Sequence, residues 1–148
     1  MLTRTILCFG LALAACGGKA KPADPPPQAD NRSLFDRLGG LPAITAVVDE
    51  FVTVTGADPR INMFFANADV PRLKQLMVDQ ICEGTGGPCK YTGKSMKESH
   101  VNMKVKAEDF EVFIEDLTKT LDKFNVPARE KGEVLAAFRA MQGDVVTP

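Results

Sequence analysis

The 148 residues contain no tryptophan, one tyrosine (Tyr91) and one histidine (His100). A single imidazole excludes zinc sites built from two or three histidines, such as the metalloprotease helix motif. Chemistry built on one imidazole stays open. An excess of one charge is lacking too: 18 Lys and Arg stand against 19 Asp and Glu. No strongly basic face is implied, so nucleic acid is not expected as a partner. No stretch alternates polar and apolar residues long enough to build a sheet, and no internal repeat is visible. What is present is ordinary globular composition, 45% hydrophobic and 25% charged, in a length that suits one domain.

The N-terminal segment reads as an export signal. Arg4 precedes an apolar run over residues 6–15, too short to cross a bilayer as a permanent helix. A basic start, a short apolar middle and small closing residues describe a secretory signal. Leu13-Ala14-Ala15-Cys16 resembles a bacterial lipobox, in which the cysteine is lipidated and becomes the mature N-terminus; the alternative is an ordinary signal with a chance cysteine. Gly17 and Gly18 follow Cys16, with no aspartate beside it. By resemblance to lipoprotein sorting signals, that favours the outer membrane, facing the periplasm. Residues 17–33 carry Pro22, Pro25, Pro26 and Pro27 and few apolar groups, so burial cannot offset their ordering entropy. The expected organisation is a signal over 1–15, a lipidated Pro-rich tether over 16–32, and one domain over 33–148.

Cysteine use agrees with export. Cys8 leaves with the signal and Cys16 carries lipid, which leaves Cys82 and Cys89. Two cysteines this close outside the cytosol are expected to form a disulfide. The alternatives are two free thiols, or a metal site for which no further ligands are apparent nearby.

The domain reads as all-α. Ser33 can cap a short helix ending at Gly39-Gly40, and Pro42 suits the first turn of the next. Ile44, Val47, Val48, Phe51 and Val54 then recur at helical spacing until Gly56, Asp58 and Pro59 intervene. A short piece over 61–65 ends in two phenylalanines. Asp69 and Pro71 open a helix carrying Val70, Leu73, Met77 and Ile81, closed by Gly84, Gly86, Gly87 and Pro88. A short helix over 94–101 puts Met96 and His100 on one face. The clearest helix covers 107–124, with Phe110, Phe113, Ile114, Leu117, Leu121 and Phe124 as its stripe. The last runs over about 128–142 with Val134, Leu135, Phe138 and Met141 inward, and Gly143 ends it. Helices so uneven, with nine phenylalanines, suit packing around something rather than a regular four-helix bundle.

Leu34-Phe35-Asp36-Arg37-Leu38-Gly39-Gly40, Asp58-Pro59-Arg60-Ile61 with Phe64-Phe65, Gly86-Gly87-Pro88 with Tyr91-Thr92-Gly93, Met96-Lys97 before His100, and the closing Val126-Pro127 occur in one order. Together these motifs resemble the truncated haemoglobins, most closely their first group, over residues 33–146. The resemblance implies a 2-over-2 α-helical sandwich around non-covalent haem b, and diatomic gases as ligands. It makes His100 the proximal ligand of the haem iron, a usual role for imidazole. It sets Phe65 on the haem face, where it can equally be core. Tyr91 falls near the haem edge, within reach of a propionate, or else as a loop tyrosine with a wet hydroxyl. Met96 and Phe110 would line the proximal side. No Cys-x-x-Cys-His pattern accompanies Cys82 and Cys89, so covalent haem attachment is not expected.

The sequence departs from the family on the distal side. Members of the first group often carry a tyrosine just after a phenylalanine on the second helix; here the pair is Phe51-Val52. The glutamine often found on the distal helix aligns with Met77, Leu73 one turn earlier is apolar, and the nearest polar residue is Gln80. A distal donor stabilises a dioxygen ligand by roughly 1–3 kcal/mol. An apolar pocket of Val52, Leu73 and Met77 therefore points away from tight oxygen storage, toward gas binding, sensing or nitric oxide dioxygenase-like chemistry, with a reductase as a further partner. Two other readings stand beside it. Met77 opposite His100 would make a six-coordinate His/Met haem protein for electron transfer or redox sensing. A haem-free helical interaction module would leave His100 structural.

Overall fold

The computed structural model describes residues 30–147. The expected signal, the Cys16 lipidation site and nearly all of the tether lie outside the described residues. Among those described, every regular element is helical: α1 (Leu34–Arg37), α2 (Gly40–Ala57), a 3-10 turn (Asn62–Phe64), α3 (Val70–Gly84), α4 (Met96–His100), α5 (Ala107–Lys123), α6 (Ala128–Ala140) and α7 (Gln142–Val145).

Local chemistry sets the helix starts. The Ser33 hydroxyl accepts from the Asp36 N–H at 3.1 Å, and the Asp69 carboxylate from the Arg72 N–H at 3.1 Å, each satisfying a donor that a helix start leaves orphaned. Pro71 sits in the first turn of α3, where a missing N–H costs little. Ser95 and Glu98 close a reciprocal capping box over α4, which lets a helix of one turn hold its place. Between α1 and α2 the chain reverses through Gly39 and Gly40, at φ 97° and 72°; a side chain at either position would be strained in this left-handed region.

Helix α2 packs on α3 and on α5, α5 packs on α6, and α4 meets α7. Two helix pairs, α2 with α3 and α5 with α6, are thus joined through the α2–α5 contact. The main core gathers Phe51, Phe110, Ile114, Leu117, Leu121, Val134 and Phe138. A second cluster, Ile44, Val48, Val52 and Val78, seals α2 against α3. Each such side chain contributes about 1.5–3 kcal/mol on burial. Arg37 of α1 reaches α6, where its guanidinium pairs with both Glu130 and Glu133.

Two expectations are corrected. The stripe of α5 stops at Leu121: Phe124 is the residue after the helix and is 39% exposed. The last helix ends at Ala140 rather than about residue 142, and Gly143, expected to end it, lies inside the further turn α7.

Candidate functional site

A cavity of about 320 Å³ opens among α3, α4 and α5. Leu73, Leu76, Met77 and Gln80 line it from α3; Met96, Ser99, His100, Met103 and Val105 from α4 and the segment after it; Phe110 and Phe113 from α5. Phe64 and Phe65 close it from the connection before α3, and Phe138, Met141 and Val145 from the C-terminal helices. Of the residues assigned to a cofactor by resemblance, Phe65, Leu73, Met77, Tyr91, Met96, His100 and Phe110 are brought together here.

The imidazole is prepared for ligation. His100 is half-buried in the wall, and its Nδ1 lies 2.7 Å from the Met96 carbonyl oxygen. A carbonyl only accepts, so this contact fixes the proton on Nδ1 and leaves Nε2 with its lone pair free. An axial imidazole ligand is oriented by such a partner. The Met96 carbonyl is held by the first turn of α4. That turn rests on Glu98, whose carboxyl hydrogen bonds from the Ser95 hydroxyl and N–H keep below its ordinary range.

The loop between α3 and α4 is tied down. Cys82 and Cys89 form a disulfide, with Cα atoms 5.7 Å apart. Gly87 runs so close beneath it that a Cβ there would lie 2.5 Å from the Phe35 ring, 2.7 Å from Cys82 Sγ and 2.8 Å from the Cys82 carbonyl. Glu83 accepts from the Tyr91 N–H and from Lys90 Nζ, both at 3.1 Å, and these bonds lower its carboxyl below the usual range. The Tyr91 ring borders the cavity while its hydroxyl donates to the Lys94 carbonyl at 2.6 Å. Burial raises the phenol above its ordinary value, so it stays a donor, and it is engaged with backbone rather than aimed at a propionate.

Phe51 and Val52, also assigned to the cofactor by resemblance, are not among the residues that line the cavity. Their positions on α2 turn them elsewhere: the Phe51 ring meets Phe113 edge-on at 4.8 Å between centroids, and Val52 faces α3 in the second cluster. Val52 borders only a smaller neighbouring pocket, which shares Phe65 and Leu73. Sequence reasoning missed Leu76, Met103, Met141 and Val145 as lining residues. Leu76 follows Leu73 at helical spacing and was findable. Met141 was legible as an inward residue of the last helix, whereas Val145 was not, because Gly143 reads as a stop.

The donor set suits one kind of group. The walls are apolar and aromatic, with one imidazole nitrogen free, as a flat apolar macrocycle with one axial ligand requires. Among the described residues no cluster of three or more His, Cys, Asp or Glu offers an alternative metal site. The comparisons agree. The family model for bacterial-like globins matches residues 33–147. A group 1 truncated hemoglobin of Mycolicibacterium paratuberculosis is 30% identical over 120 residues, covering 81% of this chain and 88% of its own length. One from Tetrahymena thermophila is 33% identical over 112 residues, covering 76% and 93%. The Fe(III) structure of truncated hemoglobin from Tetrahymena pyriformis superposes with a TM-score of 0.75 at 29% identity, over 79% of this chain and all of that one. Lining, ligand and relatives converge, and the chain belongs to the bacterial-like globins, within their group 1 truncated haemoglobins.

Proposed function

We propose that this haem protein holds diatomic ligands against a wall that offers them no strong hydrogen-bond donor. As a globin the chain binds non-covalent haem b and takes gases of the oxygen, carbon monoxide and nitric oxide class; the haem supplies the iron to which they bind. His100 supplies the axial nitrogen, and the phenylalanines and methionines exclude water. One observation carries the finer reading: Leu73, Leu76 and Met77, three of the four cavity residues of α3, carry no N–H or O–H on their side chains. The one amide there, Gln80, donates to Met141 Sδ at 3.5 Å. Dioxygen draws negative charge and depends on a donor, whereas carbon monoxide depends on it far less. Oxygen should therefore leave quickly.

Val52 lies outside the cavity, so the test belongs at Met77. Met77→Gln should slow oxygen release about tenfold for each 1.4 kcal/mol gained, with carbon monoxide release changing much less. Unchanged oxygen release in this variant, with Gln80→Ala speeding it strongly, would make Gln80 the donor and overturn the reading. The thioether of Met77 in the cavity supports the second reading, a six-coordinate His/Met haem. A sharp, split ferrous spectrum before any gas is added, lost in Met77→Leu, would favour it.

The domain is proposed to hang from the cell envelope through lipidated Cys16, on the strength of the lipobox-like run and the proline-rich segment after it. Cys16→Ser should abolish incorporation of labelled palmitate and release the protein from membranes. Wild-type labelling of that variant would exclude the anchor.

A further inference from the structure

The near-neutral total of the chain conceals a local segregation of charge. Residues 90–106 hold five lysines, at positions 90, 94, 97, 104 and 106, and one acid, Glu98. All five lysines are exposed. Lys97 and Lys104 form no ion pair among the described residues, and Lys106 reaches only the exposed Glu108, at 3.6 Å. Glu98 is spent on the α4 cap. The inner side of this same segment is the cavity wall, with Met96, His100 and Met103. At its centre Val101, next to His100 in the chain, is 64% exposed.

From this arrangement we infer that the outer side of α4 and its flanks is a docking face for an acidic one-electron carrier protein, which returns the haem iron to the ferrous state. The step is one electron from the reduced carrier to ferric iron, leaving oxidised carrier and ferrous iron. Three features select this partner. Electron transfer falls steeply with distance, and α4 carries the iron's ligand directly beneath this surface. Lysines are depleted from permanent interfaces yet steer encounters through their field, which suits a partner that must leave after each transfer. Complexes of this kind are small and weak, and one exposed valine within a lysine-rich segment suits such a footprint. A membrane surface fits less well. Seating on lipid needs several exposed large apolar or aromatic side chains beside the basic ones, and Val101 is the only large hydrophobic exposed in the segment.

The inference rests on the haem reading, and its test separates the two. An acidic [2Fe–2S] ferredoxin serves as the probe, with association to the full-length holoprotein measured by biolayer interferometry over a range of salt. Lys97→Glu, Lys104→Glu and Lys106→Glu combined should slow association about tenfold or more at low salt and flatten its salt dependence. The visible spectrum should not change. Lys123→Glu with Lys131→Glu, on α5 and α6, should leave association within about twofold. Equal loss in both variants, or none in the first, overturns the docking face. Loss of binding to phosphatidylglycerol vesicles, with ferredoxin association intact, overturns it in favour of a lipid surface. A purified protein that stays colourless after haem is supplied would instead overturn the haem reading, whatever the association data show.

Discussion

His100 is positioned by a single contact, from its Nδ1 to the carbonyl of the residue one turn earlier. Because that carbonyl belongs to the backbone, the tautomer is set by the existence of α4 and not by a second side chain. His100→Ala should lose most of its haem on purification, and added imidazole should restore occupancy by entering the vacated space. Wild-type occupancy without imidazole would remove His100 as ligand. Asp58 shows a different residue-scale effect. Its carboxyl accepts from the Arg60 guanidinium at 2.7 and 3.1 Å and from the Arg60 N–H at 2.9 Å, which lowers it from 3.8 to about 2. A lowered folded-state value favours folding while the group is ionised, so the contribution is whole above about pH 4 and fades as pH falls toward 2. The melting temperature of Asp58→Asn should lie below that of the wild type at neutral pH, and the gap should close over that window. A gap independent of pH would refute the assignment.

At the scale of elements, two glycines test opposite sides of one rule. Gly132 lies inside α6, exposed, with nothing within 4 Å of a built Cβ. Gly132→Ala should stabilise by about 0.5–1 kcal/mol in chemical denaturation, because alanine loses less backbone entropy on folding. Gly87→Ala should cost at least about 1–3 kcal/mol, since its Cβ meets a ring, a sulfur and a carbonyl that cannot all retreat. Such crowding is what makes the α3–α4 loop a rigid strap. The disulfide closes a short loop, its cysteines seven positions apart in sequence, for which chain entropy gives about 2.5 kcal/mol. Cys82 is fully buried, so reduction would leave a thiol without access to solvent, as befits a structural bridge. Replacing both cysteines by serine should lower haem retention more than helicity, because the strap places Tyr91 and α4 against the cavity. Equal losses by circular dichroism and by haem absorbance would count against that coupling.

The same scale shows what the sequence can reveal. Helices α2, α3 and α5 were legible because apolar residues recur at helical spacing along their faces, with Asp69 capping the start of α3 as well. So was the cavity wall around His100, through ordered motifs. The direction in which α2 presents Phe51 and Val52 was not legible. Adjacent residues on a helix lie about 100° apart, and only packing against α3 and α5 decides which of them turns toward a site. Helix α7 was hidden for a related reason: Gly143 carries a local stop signal that tertiary contact with α4 overrides.

On the scale of the whole molecule, the folded part contains its own core, ligand and strap. The family match begins at residue 33, and the compact unit begins at Asn31. Every buried side chain of the two core clusters lies after that point. Within the described residues α1 is fixed by the Phe35 N–H donating to the Thr85 carbonyl at 2.9 Å and by Arg37 pairing with Glu130 and Glu133 of α6. If the segment before Asn31 serves only as a tether, folding should not depend on it. A chain begun at Asn31 should melt within about 2 °C of the unlipidated Cys16→Ser protein, since a change of 1 kcal/mol would move a domain of this size by roughly 4 °C. It should also carry haem to the same occupancy. Arg37→Ala in the shortened chain should lower the melting temperature more than Arg139→Ala, because Arg37 is enclosed whereas the Arg139–Glu111 pair is half exposed on both sides. A shortened chain that melts well below the full one would mean that the segment before Asn31 packs on the globin and is more than a tether.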